Sequence, residues 1–214
     1  MRTLWVALTT CLFVLPGHAK YSGGSGTTDD PYQIATVADL LALGSSPEDY
    51  SRHFVLMADI DLDPNLPGRR VFGKAVIAPG ERAYDSNDES HFVGVPFTGV
   101  FDGNDHVVSH LVISGTEHLG LFGQLASGAQ VKGIGVVDVR VVGTGSHVGA
   151  LAGSTDSSPT QGGVVVWCYS TGVVQGTWQV GGLVPKQANA PSRHGMRRRW
   201  ILSLYSPWVH RSAA

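Results

Sequence analysis

The residues able to do chemistry in this chain are few and scattered. Asp59, Asp61, Asp63 and Asn65 alternate as the start of a calcium loop would. The glycine and final bidentate glutamate of such a loop are missing, with Pro64 and Arg70 standing there instead. Three aspartates on the outer face of a strand are then read as solvated side chains. Asp102 and Asp105 could supply the paired carboxylates of glycoside hydrolysis, but a turn beginning Asp102-Gly103-Asn104 explains both without catalysis. His106, His110, His118 and His147 could approach one another if their segments stacked. They fall at different phases of the chain, however, and give no metal-ligand spacing. No helical His-Glu-x-x-His pair occurs. Cys168 lies between Trp167 and Tyr169 in a strand-like run and reads as a small buried hydrophobe. No catalytic, metal-binding or cofactor-binding residue is assigned, and the chain is expected not to be an enzyme.

The elements that would position these residues are organised by a recurring phrase. It appears as His118-Leu119-Gly120-Leu121-Phe122-Gly123, as His147-Val148-Gly149-Ala150-Leu151-Ala152-Gly153, and as Gln179-Val180-Gly181-Gly182-Leu183-Val184. A period of about thirty residues is the signature of stacked repeats, each too short to bury its own apolar face. Between the phrases, Val137, Val139 and Val141 alternate with Asp138 and Arg140, and Val164–Val174 repeats the strand pattern with Cys168 in the role of Ile134. Upstream, Phe54–Asp63 reads as one strand whose second half buries Ile60 and Leu62. Residues 64–96 are polar and rich in Pro, Gly, Asn and Asp, and are expected to form a long loop or loosely held hairpin projecting from the stack. Thr36-Val37-Ala38-Asp39 has the form of a capping box, opening a short helix that closes at Gly44 and would cap the stack.

Composition narrows the possibilities further. Residues 1–19 read as a secretory signal, with Arg2, an apolar run and Gly17-His18-Ala19 as the cleavage site. Cys11 lies inside this leader, and its removal leaves Cys168 without a disulfide partner. Nine basic and seventeen acidic residues precede Pro185, leaving the body at about −8, which argues against a nucleic-acid partner. The tail, 185–214, carries six basic residues and no acid. It is expected to be disordered or frame-shifted; a tether to an acidic surface or a cover for the last strand edge are the alternatives.

Gly120-Leu121-Phe122-Gly123, Gly149–Gly153 and Gly181-Gly182-Leu183-Val184 resemble the glycine-leucine GLUG motif of bacterial extracellular proteins, including the non-catalytic region of IgA-specific metallopeptidases. Trp167-Cys168-Tyr169-Ser170-Thr171-Gly172 is similar to the segment that follows the motif, and Gly24–Leu41 and Phe97–His106 resemble the leading region of the same proteins. The resemblance implies an all-β fold over 20–184, a right-handed parallel β-helix of pectate-lyase-like shape, on a secreted or surface-attached protein. It supplies no catalytic residues. The expected role is therefore a non-catalytic extracellular module for binding or adhesion to a surface glycan or protein, without a membrane span and as a possible fragment of a longer surface protein. A polysaccharide-active lyase or hydrolase, or a fragment of one, is the alternative.

Overall fold

The structure, a computed structural model, describes residues 20–86, 90–155 and 162–185, and the backbone of 198–201. The expected leader and most of the basic tail lie outside these residues. The described chain is mostly sheet, curled and predominantly parallel. It opens with β1 (Tyr32–Ile34), α1 (Val37–Gly44), β2 (His53–Leu56) and β3 (Ile60–Asp61). An antiparallel hairpin follows, formed by β4 (Gly80–Tyr84) and β5 (Ser90–Gly94).

Three layers are then laid down. The first holds β6 (Val100–Asp102), β7 (Val107–Ser109), β8 (Val112–Gly115) and β9 (Phe122–Leu125). The second holds β10 (Gln130–Lys132), β11 (Gly135–Gly143), β12 (Ser146–Val148) and β13 (Ala152–Thr155). The third holds β14 (Val164–Val166), β15 (Tyr169–Gly176) and β16 (Trp178–Val180). The parallel order β1-β2-β6-β10-β14 makes one sheet, and β3-β7-β11-β15 runs through a second, which β8 also joins through β11. The pairs β9–β13 and β12–β16 carry the recurring phrases. A last strand, β17 (Arg198–Ile201), pairs antiparallel with β15.

Register turns the sequence period into columns of inward-facing side chains, buried through most of the stack and half-buried at Val165. Phe54, Phe101, Val131 and Val165 follow one another across the first sheet. Phe54 and Phe101 stack with centroids 6.4 Å apart, and Phe97 and Phe122 continue the aromatic packing at 5.1 Å. All four phenylalanines are fully buried, a contribution of roughly 1.5–3 kcal/mol each. The phrases stack directly: Leu119 N donates to His147 O, Gly149 N to Leu119 O, and Gly181 N to Val148 O.

The first end of the stack is closed by α1. Thr36 is extended, its hydroxyl accepts from Asp39 N, and the Asp39 carboxylate accepts from Thr36 N, Ala35 N and Ser22 Oγ. Burial pushes this carboxyl up, but those hydrogen bonds outweigh it and hold it below the usual carboxylate range. Leu40 and Leu43 are fully buried on the same helix. Gly44 ends it where a Cβ would stand 2.1 Å from Val76 O, so only glycine lets the helix reach that segment.

Two expectations need correction. Phe54–Asp63 is not one strand: β2 and β3 join different sheets, because the chain turns a corner at Met57–Asp59. Residues 64–96 are not all projecting loop. Phe72 and Ile77 bridge in parallel to Ile113 and Phe122, and Phe72, Ala75, Val76, Ile77 and Ala78 are buried. Among the described residues of this segment, only β4–β5 stands out as a hairpin.

Candidate functional site

The most elaborate polar arrangement lies where the hairpin meets the phrases. His118 and His147 occupy the same position in successive layers, and register places Gln179 next. All three are left-handed, with φ of 50°, 60° and 50°. The histidine rings lie stacked, 4.5 Å between centroids and 10° from parallel. The expectation that the histidines fall at different phases is therefore corrected for this pair. Its signal was available, since each histidine opens its own phrase.

The hairpin covers this ladder. Arg82 on β4 donates from Nη2 to Ser146 Oγ and His147 Nδ1, both at 2.6 Å. Its backbone N donates to Glu117 Oε1 at 2.7 Å, and its Nε lies 3.8 Å from Glu117 Oε2. Phe92 on β5, opposite Arg82 in the hairpin, sets its ring edge-on to His118 at 5.0 Å. Ser154 Oγ lies 3.1 Å from His118 Nδ1. A cationic guanidinium aimed at Nδ1 requires a neutral His147 with its proton on Nε2. Burial, then the neighbouring His118, pushes His147 down to about 3, with the charge of Arg82 adding to the effect. Burial likewise pushes His118 down to about 4, with Glu117 opposing and Arg82 assisting. Ser146, Ser154 and both imidazoles are buried, so the cluster fastens the hairpin rather than presenting a nucleophile.

The other predicted residues form an exposed corner. Asp59 Oδ1 lies 3.0 Å from His106 Nδ1 and accepts from Val107 N. Asp61 Oδ1 lies 2.8 Å from His110 Nδ1 and accepts from Asp63 N, and Asp63 accepts from Asn65. The carboxylates of the calcium-like run are thus tied to histidines and turns. Among the described residues no group of three or more His, Cys, Asp or Glu is placed to hold a metal ion. Asp102 pairs with Lys132 at 2.9 Å and accepts from Asn104 N, while Asp105 sits in the turn at φ 63°. Cys168 is half-buried in the register of Ile134, its Sγ turned towards Val131 O and Val166 O. The role of Arg82 was not readable in sequence, since its partners lie 64 and 65 residues away.

No family model matches the chain. It is 34% identical over 163 residues to Halomucin of Haloquadratum walsbyi, across 75% of this chain and 2% of that protein. It is 30% identical over 143 residues to a protein of Evansella cellulosilytica described as a Gly-rich membrane protein, across 63% of this chain and 14% of that one. The chain thus spans only a small part of the relatives it matches. A solved structure from Bacteroides ovatus, described as an immunoglobulin A1 protease, is 18% identical with a TM-score of 0.45, covering 72% of this chain and 41% of that one. No helix among the described residues is long and apolar enough to cross a membrane.

Proposed function

We propose that this chain is a non-catalytic binding module of right-handed parallel β-helix form, carried on a secreted or cell-surface protein. Its task is adhesion to a surface glycan or protein. The observation that carries this reading is the fastened hairpin: Arg82 and Phe92 hold it to the stack, while Tyr84, Val93 and the adjoining Val95 stay exposed. Large apolar side chains on a projection held to the stack at Arg82 and Phe92 suit recognition, because such anchoring lowers the ordering entropy lost on contact. The relative described as a membrane protein fits a place at the cell surface, and the three phrases in register fit the GLUG-type solenoid.

The test is binding of the secreted chain to polysaccharides and to whole bacterial cells, beside a Tyr84→Ser/Val93→Ser/Val95→Ser variant. The variant is expected to bind at least tenfold more weakly with an unchanged melting temperature. Equal binding by both proteins, or release of new reducing ends from any polysaccharide, would overturn the proposal.

A further inference from the structure

We infer that Trp167 and Tyr169 form a stacking platform for a pyranose ring at the corner between β14 and β15. This rests on the binding role proposed above and assigns it a second contact surface, of stated chemistry.

The argument begins with backbone cost. Trp167 is held at φ 53° and is 85% exposed. Left-handed backbone costs a residue with a Cβ about 1–2 kcal/mol, and Trp167 recovers little of this through burial. Among the described residues the other non-glycine positions at positive φ are Asn, Asp, His, Gln and one Ala; the short polar types tolerate that region best. At the same corner one layer earlier stands Gly133, at φ 60°, and one layer before that the left-handed positions are Asn104 and Asp105, at φ 49° and 63°. A tryptophan kept where glycine is the low-cost choice points to a use for the indole outside the fold.

The surroundings define the use. Gly133-Ile134-Gly135 underlies Trp167-Cys168-Tyr169 in register, so each aromatic residue has a glycine beneath it. The Tyr169 ring lies over Gly135, where a Cβ would come within 2.5 Å of Tyr169 Cζ. Cys168 turns its sulfur to backbone carbonyls, leaving the two rings to the outside. The outward residues of β14, Val164 and Val166, are also exposed, and the layers below place Gln130, Lys132 and Asp102 beside them.

Two rings over a bare glycine step, bordered by an amide and an ion pair, match the two sides of a sugar. An all-equatorial pyranose offers a flat face of polarised C–H groups to the negative face of an aromatic ring. Its hydroxyl edge needs donors and acceptors, which Lys132, Asp102 and Gln130 supply. A protein partner would favour a ring seated among packed neighbours and sealed from water, whereas this indole stands clear of the surface.

The probe is cellohexaose, titrated by calorimetry into the wild-type chain, W167G and the hairpin variant Tyr84→Ser/Val93→Ser/Val95→Ser, with a melting curve for each. W167G is expected to bind at least tenfold more weakly while melting at the same temperature or a few degrees higher, as released strain requires. The hairpin variant is expected to keep cellohexaose binding, so this platform and the hairpin reading fail separately. Absence of cellohexaose binding by wild type overturns the inference, as does W167G binding like wild type. A lower melting temperature for W167G would make the indole a packing residue and overturn it too.

Discussion

Two pairs of histidines in this molecule share a residue type and, in three of the four, a left-handed backbone, yet their surroundings differ sharply. His118 and His147 lie stacked and buried beneath the hairpin, pushed down to about 4 and about 3, chiefly by burial. His106 and His110 stand at an exposed corner against Asp59 and Asp61. There the hydrogen bond to Asp61 holds the His110 imidazole above its usual range, against a small opposing effect of burial. What covers the ring, rather than the residue or its φ, decides its charge. The covered pair is a neutral acceptor surface on which a cationic arginine can seat a hairpin, and the open pair is a solvated edge worth little to stability.

The largest effect that could break this contrast is acid. A histidine whose folded pKa is depressed gives its full stability above about 6.5, the unfolded value. That stability drains as pH falls towards the folded pKa, at about 1.4 kcal/mol per pH unit for each histidine. Urea midpoints should therefore fall steeply between pH 6 and pH 4, and H147N should flatten the slope. A flat profile for the wild type would mean the ladder is not buried.

Next in size is the guanidinium. R82M removes the guanidinium donor from His147 Nδ1 and Ser146 Oγ, leaving Nδ1 only the Ser146 hydroxyl at 3.1 Å, and should cost about 1.5–3 kcal/mol, the range for hydrogen bonds to charged groups. Amide exchange should rise in β4 and β5 while β10 and β11 stay protected. Uniform loss of protection would show that the hairpin is not a separate unit. S154A removes one buried partner of His118 and should lower stability by about 1 kcal/mol, read from the same urea curves.

The smallest effect belongs to the open corner. D61N keeps an acceptor for Asp63 N but removes the charge facing His110. The His110 imidazole should titrate lower by NMR with little change in melting temperature. The sign is opposite to that of the ladder. The His110–Asp61 pair contributes below the unfolded histidine pKa, and its contribution disappears as pH rises through the raised folded value. A large loss of stability in D61N would give this corner a structural weight that its exposure does not suggest.

Much of the frame was legible because it is periodic or local. The glycine-leucine phrases announced the stacking, and Thr36 with Asp39 announced the capped helix, since both need only a few neighbouring residues. The bridges at Phe72 and Ile77 were hidden because Val71-Phe72 and Ala75–Ala78 are short apolar runs set among polar residues, Gly and Pro, without the alternation that marks a strand. The break between β2 and β3 was hidden for a related reason: a corner of three residues barely disturbs an alternating pattern. The ladder stood half in view. His118, His147 and Gln179 hold one place in three phrases, but Arg82 closes over them only through long-range packing that no local spacing encodes.

The most direct test is the imidazole nitrogen spectrum of the intact chain at pH 5. Both His118 and His147 should be neutral there, with the proton of His147 on Nε2 and Nδ1 accepting from Arg82. Titration of either ring near 6.5, the value of an imidazole free in water, would show an uncovered pair and contradict the fastening of the hairpin on which the binding role rests.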